Sequence, residues 1–171
     1  QKMTYEHLLL EERCAQEAMH LAHQTGDHRI LAMSLRVLGT VHQVRGDLQE
    51  AERHLGASLQ ISQREGYTDV LAPTLRTLSA QAYWQGRFQR AIHFGQDSVT
   101  VFGDMHSGSN ELTSLAFLCL AAWSAGHYAQ ACTVWREGMR QAQERDAKFI
   151  IGRLTNTQGW FHRELGALSR A

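Results

Sequence analysis

The stretch Leu38-Gly39-Thr40-Val41-His42-Gln43-Val44-Arg45-Gly46-Asp47-Leu48-Gln49-Glu50-Ala51 decides the fold, because it returns three more times at a fixed distance. The copies read LSAQAYWQGRFQRA from Leu78, LCLAAWSAGHYAQA from Leu118 and, more diverged, QGWFHRELGALSRA from Gln158. Gly46, Gly86, Gly126 and Gly166 recur at one constant interval, and Ala51, Ala91, Ala131 and Ala171 keep the same interval. Self-similarity at a fixed period is the mark of a repeat architecture. Within one unit the apolar residues Leu31, Leu35, Leu38 and Val41 precede the glycine at helical spacing, and Leu48, Ala51, Leu55 and Leu59 follow it in the same way. Each unit therefore reads as two amphipathic helices. The glycine ends the first and lets the chain reverse, since it accepts a left-handed cap at little cost.

The spacing predicts helices over about 4–24, 28–45, 48–65, 68–85, 88–103, 109–125, 128–145 and 148–165, with short links between them. The longest link is expected at 103–108, where Gly103 and Gly108 make a flexible point. Small residues mark close crossings: Gly39, Ser79, Cys119 and Gly159 on one side of each hairpin, Ala51, Ala91 and Ala131 on the other. The first helix takes the register of a second helix and the last that of a first. The expected organisation is one repeat domain over 1–171: a half repeat 1–26, repeats 27–66, 67–106 and 107–146, and a half repeat 147–171. That layout, with Gln1 at the start, is the expectation of a piece of a longer protein.

Composition narrows the function. The 171 residues are 43% hydrophobic and 20% charged, which excludes a disordered or collagen-like chain. Lys and Arg number 17 and Asp and Glu 17, so no excess charge argues for nucleic acid or an anionic membrane as partner. A single proline suits long helices. No apolar run approaches the roughly 18 residues that span a bilayer, and no signal-peptide pattern opens the chain. Cys14, Cys119 and Cys132 do not form a disulfide framework, and a reducing cytoplasm is the expected location.

The repeat resembles the tetratricopeptide repeat. Leu38-Gly39, Gly46, Ala51 and Leu55 carry the resemblance best, followed by Leu78, Tyr83, Gly86, Phe88 and Ala91, then Leu118, Gly126, Tyr128, Ala131 and Trp135, with Trp160 and Gly166 in the last copy. Ser79 and Cys119 stand where glycine is usual, Gly95 where a large apolar residue belongs, and the period is 40 against the family's 34. That period also lies near the HEAT repeat, but the Gly and Ala offsets favour the tetratricopeptide pattern. Long-period repeats with phrases similar to Thr155–Gly166 look like those of large bacterial signal-transduction proteins, including LuxR-like activators and their ATPase relatives.

The resemblance implies an all-α, right-handed superhelical solenoid of about eight helices, with partners held along a concave wall of first helices. Carrying the family's groove-facing offsets onto this chain gives Met33, Arg36, Thr40 and Gln43 in one unit and Arg76, Ala80, Tyr83 and Trp84 in the next. Ala116, Leu120 and Trp123 follow, then Arg153, Asn156, Trp160 and Arg163. Tyr83 and Trp123 are expected as neighbouring aromatic platforms, and Arg36 and Arg76 as a two-step basic ladder, a wall suited to an acidic segment with apolar anchors. Core packing competes with that role for Trp84 and Trp123, and a solvated helix face competes with it for the two arginines. Trp135 is expected in the core. The matched Lys, Asn and Arg positions of a carboxylate clamp are not found.

No enzyme is read here. His20 and His23 share a helix face, but no further residue in register completes a zinc set, so no metal or other cofactor is expected. Cys119 and Cys132 read as small residues beside a close crossing. There is no Gly-rich phosphate loop, zinc-protease motif or nucleophile elbow. The leading expectation is a protein-interaction module that binds a peptide segment or a neighbouring domain of its parent chain, without nucleic acid or membrane. A small-ligand sensor using Tyr83, Trp84, Trp123 and Trp160 is one alternative. A spacer that self-associates into a homo-oligomer through exposed ends is another.

Overall fold

The computed structural model describes residues 5–164 and Gly166. Among the described residues there are eight helices and no strand: α1 (Tyr5–Thr25), α2 (His28–Arg45), α3 (Leu48–Glu65), α4 (Thr68–Trp84), α5 (Phe88–Asp104), α6 (Gly108–Ser124), α7 (Tyr128–Glu144) and α8 (Lys148–Glu164). The described residues are all-α, as expected, and every helix lies close to the span predicted from apolar spacing. The predicted outer bounds at 4 and 165, and Ala171 of the last copy, lie outside the described residues.

The turns obey a shorter rule than the repeat itself. Gly26, Gly46, Gly66, Gly86, Gly126 and Gly166 all have positive φ, between 72° and 88°, so the left-handed turn residue recurs at each half period. At Gly46 the next two amides close the helix end: Gly46 N–H donates to the Gln43 carbonyl and Asp47 N–H to that of His42. Where glycine is missing from the series, His106 (φ 52°) and Asp146 (φ 48°) take the same conformation. The expected longer link at 103–108 is therefore corrected in its length. Gly103 lies in α5 and Gly108 opens α6, leaving a short turn of Met105, His106 and Ser107 like its neighbours. Gly108 has another use: a Cβ there would come 2.5 Å from an Arg145 guanidinium nitrogen, and that guanidinium donates to the Gly108 carbonyl at 3.0 Å.

The chain divides into two compact units, 1–81 and 82–171. In the first, Ala32, Leu38, Val41, Ala51, Leu55, Val70 and Leu75 are buried. A Cβ on Gly39 would lie 2.6 Å from Leu55 Cγ and 3.2 Å from its backbone nitrogen, which confirms the close crossing predicted from glycine. Gln81, also buried, donates from Nε2 to the Leu48 carbonyl at 3.0 Å, tying α4 to the start of α3. In the second unit, Ala91, Leu118, Cys119, Ala121, Ala122, Trp123, Ala131 and Phe161 form one cluster, and Leu112, Leu115, Ala142, Ile150 and Leu154 another. Trp135 packs against both, as expected of a core residue, and its indole N–H donates to the Leu154 carbonyl at 3.0 Å. Cys119 fills the small-residue position, its thiol donating to the Ala131 carbonyl at 3.5 Å. Gly159, by contrast, has open space around its Cβ position and marks no close crossing.

A polar seam repeats inside both units. Ser58 and Thr74 hydroxyls meet at 3.2 Å, and one period later Ser98 and Ser114 meet at 2.9 Å, all four buried. One further period along, the pair becomes Gly138 and Leu154, and a Cβ on Gly138 would stand 3.3 Å from Leu154 Cδ1. A hydrogen-bonded pair is thus exchanged for an apolar fit of large against small.

Candidate functional site

The expected groove residues stand on α2, α4, α6 and α8, the first helices of the hairpins. In the first unit Arg36, Thr40, Gln43 and Arg76 are all half-buried. Thr40 spends its hydroxyl on the Arg36 carbonyl one turn back, at 3.0 Å. Burial lowers the guanidinium pKa of Arg36, and that of Arg76 is lowered by burial and by the charge of Arg36. The two cations of the expected ladder therefore feel each other through a partly water-free environment.

In the second unit the aromatic residues separate into two kinds. Tyr83 is half-buried and meets Trp84 edge to face at 5.1 Å, while Trp84 is 69% exposed. Trp123 is only 7% exposed. Its ring stacks on Phe161 with centroids 3.7 Å apart, and its indole N–H donates to Glu164 at 2.7 Å. Trp123 is thus packing between α6 and α8, and the expected pair of platforms with Tyr83 is corrected: a large ring at Phe161 takes up the face of the indole. Leu120 is half-buried on the same helix.

On α8, Arg153, Asn156, Trp160 and Arg163 form a continuous outward stripe. Asn156 and Arg163 are exposed, and Trp160 is 47% exposed. The Arg153 guanidinium carbon lies 4.6 Å from the ring centroid of Phe117 on α6 and 5.8 Å from that of Phe149, and Arg163 lies 5.8 Å from the ring of Trp160. Cations over ring faces are held by the ring quadrupole. Phe117 and Phe149 were not among the expected site residues. Phe149 is 74% exposed and stands one helical turn before Arg153, a spacing that could have found it. Phe117 needs the packing of α6 on α8.

An apolar cavity of about 190 Å³ opens beside this helix, lined by Trp123, Cys132, Trp135, Arg136, Gln158, Phe161 and His162. Buried Cys119 nearby has its thiol pushed up to about 12 by desolvation and by Cys132, so it stays protonated and unreactive near neutral pH. Among the described residues no cluster of three His, Cys, Asp or Glu could hold a metal ion, and no helix is long and apolar enough to cross a membrane.

Helix hairpins with a glycine turn and small residues at close crossings agree with the comparison of sequences. Residues 30–104 match the tetratricopeptide repeat family. The matched stretch runs from α2 through α5. No curated protein matches the chain. Tetratricopeptide repeats generally mediate protein–protein interaction and typically act as non-catalytic scaffolds.

Proposed function

We propose that this chain is a non-catalytic protein-interaction module. It binds a peptide segment, or a neighbouring domain of its parent chain, on the outward faces of its first helices, within a larger signalling or transcriptional regulator. The observation that carries the reading is where large apolar side chains are left in solvent. Trp84 on α4 and Phe149 and Trp160 on α8 are 47% exposed or more and Met33 on α2 is 43% exposed, all on first helices; on the second helices Leu10 and Leu21 of α1 and Tyr128 of α7 are exposed as well, but of these only Tyr128 is aromatic. Exposed aromatic side chains flanked by arginine are the residue types that dominate binding energy at interfaces.

Selection of random peptides on the intact chain tests this. Convergent sequences whose affinity falls tenfold or more in Trp84→Ala or Trp160→Ala support it. Failure of any sequence to converge contradicts it.

A second reading, binding of a small effector, is favoured by the aromatic cavity at Trp123, Trp135 and Phe161. Saturable quenching of tryptophan fluorescence by a small planar compound, lost in Phe161→Ala, would support that reading.

A further inference from the structure

The stripe Phe149, Arg153, Asn156, Trp160 and Arg163 advances along α8 in steps of four and three residues, so the five side chains share one face. Two large rings on it are exposed, and each has an arginine laid against it. Neither Arg153 nor Arg163 has an ion pair or hydrogen bond from its side chain to a carboxylate among the described residues. The acid at the end of the helix, Glu164, is engaged by the indole N–H of Trp123. Along α8 the charges are Lys148, Arg153 and Arg163 against Glu164 alone, although the whole chain is neutral. Arg153 is half-buried against Phe117, and burial lowers its pKa. A cation so placed loses hydration that a ring face only partly replaces.

We infer that the outward face of α8 docks an acidic peptide segment, with two carboxylates meeting Arg153 and Arg163 and an apolar side chain between them lying against Trp160. The inference rests on the peptide-binding reading above and names the chemistry of its partner. From Arg153 to Arg163 the helix rises about 15 Å, at about 1.5 Å per residue. An extended peptide advances about 3.3 Å per residue, so its acidic residues stand about four or five positions apart. A guanidinium placed over a ring, with no carboxylate bound to it, keeps N–H groups available for a carboxylate, which it can engage through parallel hydrogen bonds. Single-stranded nucleic acid also uses arginine and stacked rings, but it requires a track of cations following closely spaced phosphates. Two arginines so widely separated along one helix suit separate carboxylates better.

The test uses the intact chain and the peptides selected on it. The expected sequences carry two acidic residues about four or five apart around an apolar one. Replacing their Asp and Glu by Asn and Gln weakens binding at least tenfold by fluorescence anisotropy. Arg153→Gln with Arg163→Gln produces a loss of the same size, and combining the protein and peptide changes adds little further loss. Arg163→Gln alone, on an exposed side chain, weakens binding about fivefold with the circular dichroism spectrum unchanged, which keeps the test decisive if Arg153→Gln unfolds. Three results would overturn the inference: selected peptides that are neutral or basic, amide-for-acid peptides that bind equally well, or oligo(dT) or poly(U) that binds more tightly than any peptide. The first two leave peptide binding on the first helices standing, and the third replaces it with nucleic-acid binding. A selection with no convergence removes both readings together.

Discussion

Trp123 and Phe161 stack with their ring planes 13° from parallel and their centroids 3.7 Å apart, joining α6 to α8. The Glu164 carboxylate closes the arrangement by accepting from the indole N–H. Trp123→Ala removes a buried ring and leaves a cavity, and it should cost about 3–5 kcal/mol in urea denaturation. Trp160→Ala, on an exposed ring of the neighbouring face, should cost well under half of that. Equal losses would mean that the two tryptophans do not divide between core and surface as described.

The hydroxyl pair Ser98 and Ser114 predicts non-additive mutations. Removing either partner alone leaves the other buried with less to bond to and should cost about 1–2 kcal/mol. Replacing both with alanine should cost less than the sum, because the apolar pair Gly138 and Leu154 already occupies the equivalent place one period later. Strict additivity in a double-mutant cycle would contradict a shared bond.

His54 sets a pH dependence. It is buried, its Nδ1 has no hydrogen-bond partner among the described residues, and its ring stacks on His42 at 5.3 Å. Burial first, then the charges of Arg53 and His42, lower its pKa below the ordinary 6.5, against a smaller opposing effect of Glu50. The unfolded chain thus takes up this proton at higher pH than the folded one does. Stability from His54 is complete above about 6.5, and it is lost as pH falls from there through the lowered folded value. The urea midpoint should be lower at pH 5 than at pH 8, and His54→Gln should shrink that difference. An unchanged difference would show that other groups control the acid limb.

His106 stands where most turns of the chain use glycine, in a conformation that costs an L-residue about 1–2 kcal/mol. Glycine relieves that cost but makes the unfolded chain freer by about 0.5–1 kcal/mol. His106→Gly should therefore stabilise the protein by up to about 1 kcal/mol, read as a higher denaturation midpoint. The same substitution at Ser107, outside the left-handed region, should give no gain.

Much of this was legible in the sequence because the information is periodic. Leu38, Gly46 and Ala51 each fix a local requirement of burial, reversal or close approach, and repetition at a constant period separates those requirements from chance. The turn at His106 was misjudged because its conformation does not need glycine, whereas the nearby Gly103 and Gly108 advertise a loop that the helices absorb. At the candidate site, helical offsets placed Arg153, Asn156, Trp160 and Arg163 on one face. They could not show that Phe161 would cover Trp123, or that Phe117 would lie under Arg153. Both depend on how α6 meets α8, a relation set by side-chain fit between helices one full period apart and not by the pattern of either helix alone.

The most direct test of the central claim is to map the contact surface of a selected peptide by amide chemical-shift perturbation in the isotopically labelled intact chain. The largest changes are expected on Phe149–Arg163 of α8, with Phe117 and Leu120 of α6 next and the indole N–H of Trp160 shifted more than that of Trp123. Changes concentrated on the second helices, such as α5 or α7, with α8 undisturbed, would contradict peptide binding on the first helices.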